Sequence, residues 1–128
     1  MTVDEEGDVW LVGVVGLRAG RSTLFHRTED RAGARVWHAI ELPTGTYWPG
    51  QIVAHGGDLY LGPVGAGHSG VLRIARERVL DGTLDEGDFV TLTSTPDIGD
   101  RPDAQLWVGD SGVWLTDEDV ALFYPHAP

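Results

Sequence analysis

A short hydrophobic unit centred on an aromatic residue occurs three times in this chain. Val-Trp-Leu at residues 9–11 returns as Leu-Tyr-Leu at 59–61 and as Val-Trp-Leu at 113–115, each time after a turn rich in Gly and Asp. The central residues are Trp10, Tyr60 and Trp114, so the spacing is 50 residues and then 54. Self-similarity at a period of this length predicts an array of similar supersecondary units.

Short segments rich in β-branched and aromatic residues fill the chain between turn signals. The 18 glycines and seven prolines suit many short strands joined by many turns. We therefore predict an all-β, antiparallel protein. Ten strands are predicted, at residues 9–15, 23–27, 35–42, 51–55, 59–64, 70–76, 89–93, 104–108, 113–116 and 121–124.

Aligning the three copies gives a repeated unit of four strands, a to d, in which strand b carries the central aromatic residue. Trp10, Tyr60 and Trp114 are therefore expected at equivalent core positions. The chain is predicted to be a single domain, 1–128, with repeats at about 1–50, 51–103 and 104–128, the last one ending after strand c. Residues 70–80 also fit a helical spacing. Their equivalence to the predicted strand c of the other two copies favours a strand.

These units resemble the blades of β-propeller repeat proteins. Residues 4–10, Asp-Glu-Glu-Gly-Asp-Val-Trp, are similar to a blade segment of regulator-type propellers. Residues 110–114, Asp-Ser-Gly-Val-Trp, are similar to a shortened Asp-box of sialidase-type propellers. The resemblance implies about three propeller-blade-like repeats, of which the last is incomplete.

Three units are fewer than the four to eight blades with which propellers close. Uncovered blade faces and strand edges would promote aggregation. The chain could therefore form a homo-oligomer, with a dimer of six blades as the first expectation, or it could be part of a larger propeller. A closed ten-strand β-barrel or sandwich is the alternative fold.

The charge of the chain limits its partners. A net charge of −11 argues against nucleic acid and against anionic membranes, because both are bound through Lys and Arg. The chain has no Cys and no Lys, which excludes disulfides, thiolate chemistry and Schiff bases. A cytoplasmic location is predicted, unless the chain is a fragment of a secreted protein.

The motifs that could carry chemistry have simpler readings in an all-β chain. Residues 65–70 match G-x-G-x-x-G, but a dinucleotide site needs a βαβ unit, so we interpret them as a loop. The five histidines have no metal-ligand spacing, and the acidic run at 117–119 fits no calcium loop. We therefore predict no cofactor, no metal and no catalytic residues.

The propeller resemblance also implies where a binding site would lie. The d–a and b–c loops of a propeller share one side of the molecule, which commonly carries the site. Aromatic rings there can stack on a sugar or anchor a protein, and arginines can bind a carboxylate or phosphate. The residues this brings together are Tyr47, Trp48, Arg101, Arg18, Arg21, His68 and Asp117.

These features favour a non-catalytic binding or assembly module that recognises a carbohydrate, a small acid or a protein through loop-borne aromatics and arginines. Two alternatives stay open. One is a fragment or subunit of a propeller glycosidase or lyase, and the other is a β-barrel that holds a small ligand.

Overall fold

The strands are grouped into three separate antiparallel sheets, each formed by one continuous stretch of the chain. The computed structural model describes residues 1–15, 21–29, 31–42, 51–64, 70–81, 84, 88–92, 105–116 and 121–125. Within these ranges the chain consists of strands and one short helix, which confirms the all-β prediction.

The first sheet contains β1 (Thr2–Val3), β2 (Val9–Val15), β3 (Arg21–Glu29) and β4 (Arg35–Glu41), in chain order. A tight turn joins β1 to β2 through Gly7, whose φ of 87° lies in the left-handed region that favours glycine. This turn fixes the register that aligns the short first strand with its neighbour.

The second sheet repeats this order with β5 (Gln51–His55), β6 (Asp58–Val64), β7 (Gly70–Ala75) and β8 (Val90–Leu92). Helix α1, Arg76–Leu80, follows β7 directly.

Helix α1 corrects the prediction for residues 70–80. The strand interpretation is confirmed as far as Ala75 and is wrong beyond it. The backbone N–H of Arg76 donates to the carbonyl of Gly57 at 3.0 Å, after which the chain turns away from the sheet. Helical spacing then buries Val79, which is 1 % exposed, in the core.

The third sheet has three strands, β9 (Gln105–Val108), β10 (Gly112–Thr116) and β11 (Ala121–Pro125), with β10 in the middle. Within the described ranges, no fourth strand pairs with β11. The third sheet is therefore narrower than the other two.

Alternation along β6 explains why the sheets stack. Leu59 and Leu61 project from one face of the second sheet, and Tyr60 projects from the other. The first face packs on the first sheet, in a core that also contains Trp10 and Leu24. The second face packs on the third sheet, in a core built from Tyr60, Val71, Leu106, Val113, Leu115 and Tyr124.

The first strands of adjacent sheets are also joined by hydrogen bonds. The hydroxyl of Thr2 in β1 accepts the backbone N–H of Ala54 in β5 at 3.2 Å. The side chain of Gln51 in β5 accepts the backbone N–H of Leu106 in β9 at 2.8 Å. The order of stacking is thus fixed along the line of β1, β5 and β9.

Helix α1 has five residues. Across the described ranges, no helix has the length and apolar character needed to cross a membrane.

The burial of Leu59 between two sheets makes it a sensitive test of the stack. Leu59 is fully buried, whereas Leu80 on the surface of α1 is 45 % exposed. We expect Leu59→Ala to lower the free energy of unfolding by about 2–5 kcal/mol, because it leaves a cavity in the core. Leu80→Ala is the matched control and should change it by about 0.5 kcal/mol or less. Urea unfolding measures both, and equal effects would contradict the observed packing.

Candidate functional site

Most residues of the predicted loop site lie outside the described residues. These are Tyr47, Trp48, Arg101, Arg18, His68 and Asp117. Arg21 is the first residue of β3 and pairs with Val15 of β2, while its side chain is also outside the described part. The shared loop face therefore stays a prediction.

The described residues instead present an aromatic surface on the third sheet. Trp107, Trp114 and Phe123 are 56 %, 43 % and 39 % exposed. Trp114 of β10 is the cross-strand partner of Trp107 in β9 and of Phe123 in β11, so the three side chains share one face. We call these three residues the aromatic face, which points away from the second sheet.

The side chains of the aromatic face are held in place by their neighbours. The rings of Trp114 and Phe123 lie 4.6 Å apart between centroids with a tilt of 34°. The indole Nε1 of Trp107 donates to the hydroxyl of Thr116 at 3.1 Å. Gly112 leaves room for the ring of Phe123, since a Cβ there would lie 2.5 Å from that ring. These contacts fix the positions of the three rings relative to the strands that carry them.

Burial of the three repeated aromatic residues differs in a way that the sequence does not indicate. The sequence suggests equivalent core positions for all three. Trp10 is fully buried and Tyr60 is 3 % exposed, but Trp114 is 43 % exposed. The prediction is wrong for Trp114 because no sheet of the described chain covers that side of the third sheet.

The opposite end of the stack also exposes apolar side chains. In the first sheet, Leu11 alternates with the buried Trp10 and is the cross-strand partner of Phe25, so both point away from the second sheet. Val3 and Trp37 on the same side are 57 % and 48 % exposed. We call Val3, Leu11, Phe25 and Trp37 the first outward face. The guanidinium of Arg27 lies 5.8 Å from the ring centroid of Trp37, a cation–π contact.

A cluster of charged side chains joins the first sheet to the second. Arg76 of α1 donates from Nε to Asp4 at 2.6 Å and from Nη2 to Asp8 at 2.5 Å. Asp4 also accepts the indole N–H of Trp10 at 2.8 Å, and Asp8 contacts Nε2 of His26 at 2.8 Å. The His26 ring stacks on Trp10 at 4.0 Å. These polar groups satisfy one another, so the cluster is structural.

The pKa of Asp4 follows from these contacts. Burial by itself raises the pKa of a carboxyl group, because it penalises the charged form. The hydrogen bonds from Trp10 and Arg76 outweigh burial and hold the pKa of Asp4 below its usual value. The charged form of Asp4 is thus favoured in the folded state.

A second polar region lies between the second and third sheets. It is an open cleft of about 630 Å³, and the side chains that line it include His55, Asp58, Tyr60, Arg73 and Asp110. The Nε2 of His55 contacts the carboxylate of Asp110 at 3.0 Å. Burial, together with the charge of Asp58, raises the pKa of the Tyr60 hydroxyl despite the opposing effect of Arg73.

The residues described here contain no group of three His, Cys, Asp or Glu side chains suited to a metal ion. The His55–Asp110 contact crosses from β5 to the turn before β10, so it ties the second sheet to the third. The charge cluster and the His55–Asp110 contact hold the sheets together. The aromatic face has no such structural role among the described residues, so it is the candidate for binding.

The charge cluster gives a prediction for Arg76. We expect Arg76→Met to destabilise the fold by about 3 kcal/mol, because it leaves the carboxylates of Asp4 and Asp8 without their counter-ion. Arg78→Met is the matched control on the same helix. Its bridge to Asp88 at 2.8 Å is more exposed and should be worth about 1 kcal/mol or less. Chemical denaturation measures both, and a smaller loss for Arg76→Met than for the control would contradict the role assigned to the cluster.

The lowered pKa of Asp4 gives a prediction for pH. A carboxyl group whose folded pKa lies below its unfolded value of about 3.9 stabilises the fold above that value. This contribution disappears as the pH falls through the folded pKa. Between pH 5 and pH 3, the wild type should therefore lose more stability than Asp4→Asn. The urea midpoints at pH 5, 4 and 3 measure this difference, and parallel curves would contradict it.

Comparison with protein-family models, with curated proteins and with solved structures found no match for this chain.

Proposed function

We propose that this chain is a non-catalytic assembly module of the propeller type, which binds a further protein surface through the outward faces of its sheet stack. The observation that carries the proposal is the aromatic face, where Trp107, Trp114 and Phe123 lie exposed side by side on one sheet. Contiguous apolar surface of this kind marks interaction sites, unlike single exposed hydrophobic residues.

The energy available from covering this face is large. An aromatic side chain buries roughly 150–250 Å², so the exposed half of three such side chains is about 300 Å². At about 25 cal/mol per Å² this corresponds to roughly 7 kcal/mol, before the costs of association are subtracted. Aromatic residues, and tryptophan above all, are also common among the residues that dominate binding energy at protein interfaces.

Rigid placement of the rings favours binding as well. Trp107 is held by Thr116, and the Phe123 ring lies over Gly112 and against Trp114. Side chains that are already ordered lose little conformational entropy when a partner covers them.

The partner that the stack itself favours is a second copy of this chain. The described sheets, joined along β1, β5 and β9, leave two ends that no further described sheet covers, and apolar side chains are exposed at both. A propeller needs at least four blades, and two copies would supply six sheets. Each copy carries a net charge of −11, so salt should strengthen the association by screening repulsion.

The loop residues predicted from the sequence have a place in this proposal. Tyr47, Trp48 and the arginines would decorate one side of the assembly, where they could bind a carbohydrate or a small acid. The support for assembly comes from the sheet faces and does not depend on these loops.

The test is the mass of the purified chain in solution. We expect light scattering after gel filtration at about 1–100 μM to give a species of at least two copies, with a larger fraction at higher salt. Trp107→Ser/Trp114→Ser should reduce it to the monomer, because it removes the apolar surface. Leu80→Ser, which alters an exposed residue outside both faces, should leave the mass unchanged.

Circular dichroism of the double variant shows whether it still folds. A wild type that stays monomeric at the highest concentration would overturn the proposal, as would a folded double variant of unchanged mass. A monomer that binds insoluble polysaccharide through the same two tryptophans would also overturn it and would assign the face to carbohydrate.

A further inference from the structure

We infer that copies of this chain join head to tail, with the aromatic face of one copy packed on the first outward face of the next. This inference rests on the proposed assembly function and specifies which surfaces meet. It follows from the way in which the three sheets already pack on one another.

The central aromatic residue of each sheet points toward the sheet that follows it. Trp10 of the first sheet lies in the core with Leu59 and Leu61 of the second. Tyr60 of the second sheet lies in the core with Val113 and Leu115 of the third. Both interfaces inside the chain are therefore built in the same direction. At each one, the central aromatic residue of one sheet packs against the two aliphatic residues that flank the central aromatic residue of the next sheet.

The same rule leaves one unmatched half at each end. Trp114 occupies the position of Trp10 and Tyr60, but no described sheet follows it. In the first sheet, Val9, which is 6 % exposed, and Leu11, which is half-buried, occupy the positions of Leu59 and Leu61, but no described sheet precedes them. The aromatic face and the first outward face are thus the two halves of the interface that is made twice within the chain.

Residues beside the central aromatic residue differ in a way that suits contact between separate molecules. In the first sheet, Thr2 and His26 are the cross-strand partners of Trp10. In the third sheet, Trp107 and Phe123 take their places beside Trp114. Two copies lose translational and rotational freedom when they associate, whereas sheets of one chain do not, so the intermolecular contact needs more apolar area.

The first outward face also carries aromatic residues beside its central positions. Phe25 is the cross-strand partner of Leu11 in β2 and of Ala39 in β4. Trp37 is two residues from Ala39 and lies on the same side of β4. The positions that flank Tyr60 are purely aliphatic, since Leu61 pairs with Leu72 and Leu59 with Ile74. The outward face of the first sheet therefore offers Trp37, which is 48 % exposed, to meet the aromatic face.

Symmetric pairing of two aromatic faces would break this rule. It would place Trp114 of one copy against Trp114 of the other, an arrangement of equivalent positions found at neither interface within the chain. A head-to-tail contact uses two different surfaces on each copy, so two copies can close into a ring with two identical junctions.

Mixing two variants tests the inference. Trp107→Ser/Trp114→Ser disables the aromatic face, and Val3→Ser/Trp37→Ser disables the first outward face at residues 57 % and 48 % exposed. Each variant alone should be monomeric, because every head-to-tail junction needs both faces. Mixed in equal amounts, they should form a heterodimer, in which the intact aromatic face of one variant packs on the intact first outward face of the other. Native mass spectrometry distinguishes this heterodimer from homodimers by mass.

The outcomes separate this inference from the proposed function. A wild type that assembles while Val3→Ser/Trp37→Ser assembles equally well would show that the aromatic face binds itself, which overturns the inference and leaves assembly standing. Failure of the mixture to form the heterodimer, with both variants folded by circular dichroism, would overturn it too. A monomeric wild type would overturn the proposed function itself.

Discussion

The fold depends on the second sheet, which is apolar on both faces. Leu59 and Leu61 on one side and Tyr60 on the other all need cover, and no single partner can provide it. The sheet is stable only as the middle layer of a stack, so the first and third sheets must lie on either side of it. Each outer sheet packs one face on the second sheet, and no further described sheet covers its other face.

Polar contacts add precision to this hydrophobic stack. Arg76 connects α1 of the second sheet to the turn that precedes β2, and Gln51 connects β5 to β9. Such contacts are directional, whereas burial of apolar surface is not. Their position between specific pairs of sheets fixes how the layers are oriented, and this orientation decides which surfaces remain uncovered.

Much of the fold could be predicted from the sequence, because alternation and turn residues act locally. Ten predicted strands all match strands of the structure to within a few residues, and Gly7 marks a turn as expected. Helix α1 was not predictable in the same way. Residues 70–80 satisfy both periods, and the core position of Val79 decides for a helix at 76–80.

The candidate site was harder to predict for a physical reason. Val-Trp-Leu at 9–11 and at 113–115 is the same tripeptide, yet Trp10 is buried and Trp114 is not. Burial of the tryptophan depends on whether another sheet packs on its side, and the local sequence carries no information about that. Alternation along β9 and β10, together with their pairing across the turn, could have indicated a face that carries both Trp107 and Trp114. The predicted loop residues, by contrast, depend on connections outside the described residues.

The reach of Arg76 has a consequence for the order in which the molecule forms. Its partners Asp4 and Asp8 are 72 and 68 residues earlier in the chain. During synthesis the first sheet leaves the ribosome long before Arg76 does. Until Arg76 is made, the carboxylates of Asp4 and Asp8 lack their counter-ion. The ion pairs that join the first sheet to α1 can therefore form only after Arg76 has left the ribosome.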